Sequence, residues 1–291
     1  MRFAPFASWS RLEQKLPGDP RWFQIAFLVS FLTYGLVSEV VPFWEPLLTL
    51  PAALTVQLIL GRVFKAPSGH WKSGLITGLG LTLLLRTDLI WLAPLVAALA
   101  IASKFVLRVR GKHVFNPANG GLAAAMLLTS HAWSSPSQWG ESATWLFWCA
   151  VLGLIVVVRS LRSDVSMAFL GSWVLLKAGR VLYLGQRPQV LLHQLSIASL
   201  IIFTFFMISD PKTTPDGRKA RLGFAASVAL LAFVLQHGFW IQNAPVWALF
   251  VLSPLVPLLD VFLKAPRYHW PSLSSSRSPA CTESSSLLPS H

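Results

Sequence analysis

Cysteine is nearly absent: two in 291 residues, Cys149 inside an apolar run and Cys281 near the C-terminus. That is too few for a disulfide framework, a cysteine-ligated zinc site or an iron–sulfur cluster, and no metal site is expected. Acid is scarce as well, with 11 Asp and Glu against 24 Lys and Arg, a formal net charge of +13. Charged residues make up 12% of the chain, about half the ~25% of a soluble domain, which excludes a water-soluble globular surface. The period-two alternation of a transmembrane β-barrel is missing. No small-residue cleavage site follows the first long apolar run, so no cleavable signal peptide is expected.

What the chain has instead is apolar length. It is 54% hydrophobic with 13 tryptophans, its mean hydropathy is +0.59, and apolar runs recur from Trp22 to Leu263. The expected fold class is therefore all-α, a polytopic membrane protein with the lipid bilayer as its solvent. About ten transmembrane helices are expected by the length rule, over residues 22–38, 46–60, 75–86, 89–107, 117–130, 144–158, 165–184, 190–208, 222–241 and 247–263.

The cations lie in short clusters between these runs, which argues for positively charged cytoplasmic loops and against a nucleic-acid partner. With the N-terminus inside, 20 of the 24 cations fall on cytoplasmic segments, the exceptions being Arg86, Lys177, Arg180 and Arg187. The expectation is a multi-pass protein of the inner (plasma) membrane with both termini cytoplasmic. Its regions are an interfacial N-terminal segment over 1–21, a transmembrane domain over 22–264, and a Ser/Pro-rich disordered tail over 265–291.

Two segments are short. Residues 75–86 and 117–130 fall below the length a bilayer core requires, and the second begins with proline. Such interrupted segments often surround a central site; displaced segment ends would give the same pattern. The second follows the polar stretch "GKHVFNPANGG", Gly111 to Gly121. There Asn116 suits a helix cap and Pro117 a first helical position. Asn119, Gly120 and Gly121 form a small polar face, and Lys104, Lys112 and His113 add positive charge at a helix N-terminus, which favours anions. A second polar turn, "DPKTTPDG", spans Asp210 to Gly217.

Three motifs together resemble the membrane-subunit family of RnfD and NqrB: Ser73, Thr77 and Gly78 at a helix start; Lys104 and Gly111 followed by Phe115-Asn116-Pro117-Ala118; and Asp210, Pro211, Thr213, Pro215 and Gly217. The likeness covers roughly residues 70–240. It implies the RnfD/NqrB fold with short or broken helices, and an electron-transport role with coupled ion movement in a redox-driven translocase subunit rather than a stand-alone enzyme. It also implies redox partner subunits, and a cofactor-binding set of Ser73, Thr77, Lys104, Asn116, Asn119, Asp210, Thr213 and Thr214. The family's covalent FMN sits on a threonine of an S/T-G-A-T-type sequence, and the interval 129–144 contains none. Covalent FMN is therefore not expected; a flavin, FMN or riboflavin, would be held non-covalently. The chain resembles the short UnbU-like members. A competing class, a transporter, channel-like or scaffold protein that keeps the fold without redox chemistry, fits the missing threonine too.

His193 and His237 are expected at similar depth on adjacent spans, where a bis-histidine haem could sit; they are read as interfacial histidines, and haem is not expected. Lys177 is a cation in the outer half of a span and needs a carboxylate, a ligand or an aqueous cavity. Asp88 and Asp260 are candidate carboxylate partners.

Overall fold

A computed structural model describes residues 19–67, 69–135, 151, 153–155, 163–195 and 198–266. The chain divides into two compact units, Pro20–Tyr268 and a second made of Met1–Asp19 with His269–His291. All of the second but Asp19 lies outside the described residues, as do most of the expected N-terminal segment, of the tail and of segment 144–158.

Unit Pro20–Tyr268 is helical. Its elements are α1 (Arg21–Val37), α2 (Trp44–Val63), α3 (Trp71–Leu84), β1 (Leu85–Thr87), α4 (Leu92–Val106), β2 (Arg108–Val109), β3 (Lys112–His113), α5 (Pro117–Leu128), β4 (Ala132–Ser134), α6 (Ser163–Tyr183), α7 (Pro188–Leu195), α8 (Ala198–Ile202), a π-helical turn (Phe203–Met207), α9 (Arg218–Gly238), α10 (Ala244–Leu252), a 3₁₀ turn (Ser253–Leu255) and α11 (Val256–Phe262). By length and composition, α2, α6, α9 and the run Ala244–Phe262 can each cross a membrane, and the bent pair Pro188–Leu195 with Ser199–Met207 makes a fifth candidate. Helices α1, α4 and α5 are apolar but shorter. The protein is a polytopic all-α membrane protein.

Helix α2 packs against α3 and α4, and α9 packs against α6 and α10. Helix α5 touches α4 and α3 on one side and α10 on the other, and so joins the two groups. Phe27 of α1 and Phe206 of the π turn add a second junction, their rings 4.5 Å apart. Small residues allow the closest approaches. At Gly121 a Cβ would lie 2.7 Å from Cβ of Ala100 on α4, so no other residue fits without separating the two helices.

The two short segments have different structures. Helix α3 has 14 residues, about 21 Å, and its chain then continues as the three-residue strand β1, about 10 Å more; the two together match a hydrocarbon core of about 30 Å. Helix α5 begins beside the middle of α3, because a Cβ on Gly80 would sit 3.5 Å from that of Ala118. Its first turn is therefore inside the protein. After α5 the chain returns as β4, antiparallel to β1, with Leu85 opposite Ser134, Arg86 opposite Trp133 and Thr87 opposite Ala132. The N–H of Ser135 extends the pairing to the Leu84 carbonyl at 2.7 Å. Two strands that satisfy each other replace the helical bonds lost where α3 stops, as a low-dielectric interior requires.

The carbonyls at the end of α3 still need donors, and Arg86 supplies them. Its guanidinium donates to the carbonyls of Thr82 (2.8 Å), Leu85 (2.6 Å) and Leu83 (3.4 Å). Both carboxylate oxygens of Glu45, on α2, accept from it at 3.3 Å. Glu45 and Arg86 are buried, at 1% and 8% exposure, so each is the other's counter-charge. Arg86→Met should destabilise the protein by about 3–5 kcal/mol, because it strands a buried carboxylate, whereas Glu45→Met combined with Arg86→Met should recover most of that loss. Unfolding of the detergent-solubilised chain measures both, with Glu45→Met alone as the third variant; a double-variant loss equal to the sum of the two single losses would show that the pair is not coupled.

Candidate functional site

Asn116 caps α5: its side-chain oxygen accepts from the N–H groups of Ala118 and Asn119 at 3.1 and 3.2 Å, and Pro117 occupies the first turn. Its amide nitrogen donates to the Met207 carbonyl and to Asp210 Oδ2, both at 3.3 Å. The two polar turns therefore meet. The π-helical turn makes this reach possible, since its wider hydrogen-bond spacing leaves carbonyls open to side chains. Ser166 of α6 takes another, donating to Thr204 O at 2.7 Å.

Asp210 organises its own turn. Oδ1 accepts from the Lys212 N–H at 3.0 Å, and its carbonyl accepts from the hydroxyls of Thr214 (3.1 Å) and Thr213 (3.4 Å). Both threonines are buried. Burial raises the Asp210 carboxyl above its ordinary value, and the Lys212 N–H and charge, the Lys104 charge and the Thr213 hydroxyl pull against it. Lys104, buried near the end of α4, donates to Ser73 Oγ at 3.1 Å. Thr77 turns back on its own helix and donates to Ser73 O at 2.9 Å. Ser73, Thr77 and Lys104 thus form a second small group, linked to the turns by the Lys104 charge. Asn119 stands apart from both. With its amide oriented to satisfy both groups, it donates to Val246 O and accepts from Phe250 N, each at 3.3 Å, and so clasps one rung of α10.

A two-residue hairpin seals this end of the protein. β2 and β3 pair through Arg108 with His113 and Val109 with Lys112. Arg110 and Gly111 make the turn with φ of 52° and 78°, the left-handed pair that a tight hairpin needs and that glycine at the second position eases. Lys112 then donates to the Thr214 carbonyl at 2.7 Å and pairs with Asp260 at 2.7 Å and Asp216 at 3.0 Å. Asp216 N–H in turn donates to Asp260 Oδ1 at 2.8 Å. Arg221 joins α9 to α6 through Asp164 at 2.6 Å.

Several sequence-based expectations are corrected here. Lys112 and His113 do not charge the start of α5 for an anion: Lys112 is neutralised by two aspartates, and the His113 imidazole is pushed down to about 3 by burial and by Arg108, Lys104 and Lys212. Lys177 pairs with neither Asp88 nor Asp260. Asp88 pairs with His131 at 2.9 Å, Asp260 with Lys112, and Lys177 with Gln236 and His237 at 2.9 and 3.0 Å. That contact also takes up His237, one of the two histidines weighed for haem. The Glu45–Arg86 pair and the Lys112–Asp216–Asp260 cluster were not anticipated. A glutamate at the head of an apolar run, four residues before Thr49 and twelve before Gln57, is the one signal that marked the buried face of α2.

The junction of the two turns and the burial of His113 can both be measured. Asn116→Ala should cost about 0.5–2 kcal/mol as a lost cap, and combination with Asp210→Ala should show about 0.5–3 kcal/mol of coupling; strictly additive losses would mean two separate turns. His113 stays neutral in the folded chain but protonates once unfolded, below its ordinary value of 6.5. Stability should therefore be complete above pH 6.5 and fall toward pH 3, at up to about 1.4 kcal/mol per pH unit. His113→Asn should flatten that slope in thermal melts.

Residues 132–269 match the model of the NQR2, RnfD, RnfE family. The match takes in the Asp210–Gly217 turn; the turn at Phe115–Ala118 lies before it. The chain is 27% identical over 145 residues to a protein of Vibrio atlanticus (strain LGP32) named as a subunit of the ion-translocating oxidoreductase complex, covering 48% of this chain and 41% of that protein. It is 26% identical over 118 residues to the subunit of the same name from Vibrio vulnificus (strain YJ016), covering 40% of this chain and 33% of that protein. To the namesake from Stutzerimonas stutzeri it is 33% identical over 69 residues, covering 24% of this chain and 20% of that protein. It thus aligns with less than half the length of these relatives. Over residues 132–269, which include the Asp210–Gly217 turn that Asn116 meets, the chain is similar to the NQR2, RnfD, RnfE family.

Proposed function

We propose that the protein is a membrane subunit of an electron-transport assembly that couples redox chemistry to ion movement. The observation that carries this reading is the similarity of residues 132–269 to the NQR2, RnfD, RnfE family, together with relatives named as subunits of ion-translocating oxidoreductase complexes. Redox partner subunits, an inner-membrane location and cytoplasmic termini belong to the same proposal. The cation distribution supports the orientation, with both polar turns and the β2–β3 hairpin on the cytoplasmic side.

In this reading the paired turns are a lock between the two helix groups. The side-chain oxygen of Asn116 accepts from two backbone N–H groups and its amide donates to two oxygens, and the hydroxyls of Thr213 and Thr214 donate to Asp210 O. Asn119 is engaged with α10. These donors do not fit a flavin as they stand, because an isoalloxazine needs donors free to meet its carbonyls and ring nitrogens. What this chain supplies to the assembly is a rigid broken-helix body that carries buried charge. Ser73 and Lys104, in the first turn of α3 and near the end of α4, are the proposed groups nearest an ion route, since a buried ammonium sets the sign of what can pass.

The test is purification of the full chain from its native membrane in mild detergent. A visible spectrum that bleaches on reduction, in a preparation containing further subunits, is expected. The band of this chain in a denaturing gel should be dark under ultraviolet light, since residues 129–144 hold no S/T-G-A-T-type sequence. A colourless chain that purifies alone would overturn the electron-transport reading.

A further inference from the structure

A cavity of about 140 Å³ lies among the ends of α3 and β4, helices α6 to α9 and the start of α10. Its lining includes Trp173 and Lys177 of α6, Gln194 of α7, Phe203 and Met207 of the π turn, and Gln236 of α9. Lys177 is 2% exposed and Trp173 is 4% exposed, and the ammonium sits 4.7 Å from the centre of the indole ring.

The hydrogen bonding of this pair is incomplete. Lys177 Nζ uses two of its three N–H groups, on Gln236 Oε1 at 2.9 Å and His237 Nε2 at 3.0 Å. The Trp173 indole N–H is buried with no acceptor. No carboxylate among the described residues pairs with Lys177, and the charge acting on it is another cation, Arg180. Two buried donors thus line one cavity, the indole N–H without an acceptor and the ammonium without a counter-charge among the described residues. Leaving either unmet inside a membrane protein is costly. Among the described residues acid neutralises Lys112 and Arg221, and none meets Lys177.

We propose that this cavity binds a small carboxylate. One oxygen accepts from Lys177 and the other from the Trp173 indole, and the apolar part of the molecule lies against Phe203 and Met207. A cavity of about 150 Å³ holds benzene, so the fit is to an acid with a body of that size or smaller. A phosphate ester of a nucleotide or a whole isoalloxazine is too large. The charge at Lys177, rather than the apolar wall, is what selects an acid over its neutral analogue. The site touches the Asn116–Asp210 lock only at Met207, whose backbone carbonyl Asn116 meets, and it stands whether or not the electron-transport reading does.

Thermal melting of the detergent-purified full chain tests this, with benzoate as the probe and benzamide as its uncharged counterpart. Benzoate should raise the melting temperature in a saturable way, with benzamide at least about tenfold weaker, the ratio that one charge-assisted hydrogen bond supplies. Trp173→Phe keeps the ring and removes the N–H, and should weaken benzoate severalfold without unfolding the protein. Lys177→Met should abolish the benzoate shift while costing little stability of its own, because it removes an unneutralised buried cation. An equal response to benzoate and benzamide, no response to benzoate, or an undiminished shift in Trp173→Phe would overturn the proposal. Should Lys177→Met fail to fold, the Trp173→Phe comparison decides alone.

Discussion

Inside a bilayer every backbone N–H and carbonyl must find a partner within the protein. This chain interrupts its helices several times within the body, and several of its buried polar side chains repair those interruptions. Where α3 stops, β1 and β4 pair and Arg86 collects the remaining carbonyls. Where α5 starts, Asn116 takes two N–H groups. Where the π turn widens, Asn116 and Ser166 meet the carbonyls it opens. Asn119 secures a rung of α10 from outside that helix.

Scarce acid sets the second constraint. With 24 basic and 11 acidic residues, few cations can have a carboxylate, and the structure places acid where cations are buried or join elements. Glu45 serves Arg86, Asp216 and Asp260 serve Lys112, and Asp164 serves Arg221. The Lys112 cluster ties the hairpin to the Asp210–Gly217 turn and to α11, so three segments far apart in sequence become one surface. Pairs this shielded from solvent lose less to screening than exposed ones. Among the described residues the buried Lys104 and Lys177 have no such pair; Lys104 donates to Ser73, and Lys177 lines the cavity beside it.

These features also relate the body to its proposed role. A subunit that holds its place among partners while ions pass needs fixed helix ends, because a helix terminus that moves changes both its dipole and its exposed N–H groups. The Asn116–Asp210 junction fixes the start of α5, and the β1–β4 pair fixes the end of α3. Both are rigid through hydrogen bonds that cross between helices rather than through apolar contact alone, which distinguishes poorly between protein and lipid.

The class of the protein, its helical segments and its two polar turns were legible in the chain alone, because these depend on local composition: apolar length, proline at a helix start and asparagine before it. Nine of the ten expected segments coincide with helices among the described residues, and the cap at Asn116 could be read from "NPANGG". How segment 75–86 reaches across could not be read locally, since the completing strand depends on pairing with residues 132–134. Charge partners were equally hidden. Asp88 and Asp260 were candidates for Lys177 from the sequence, but the fold turns Asp260 toward the hairpin lysine and Asp88 toward His131. Partner choice is a matter of a few ångströms in three dimensions, and only tertiary packing decides which carboxylate a buried cation meets and which cation is left for a ligand.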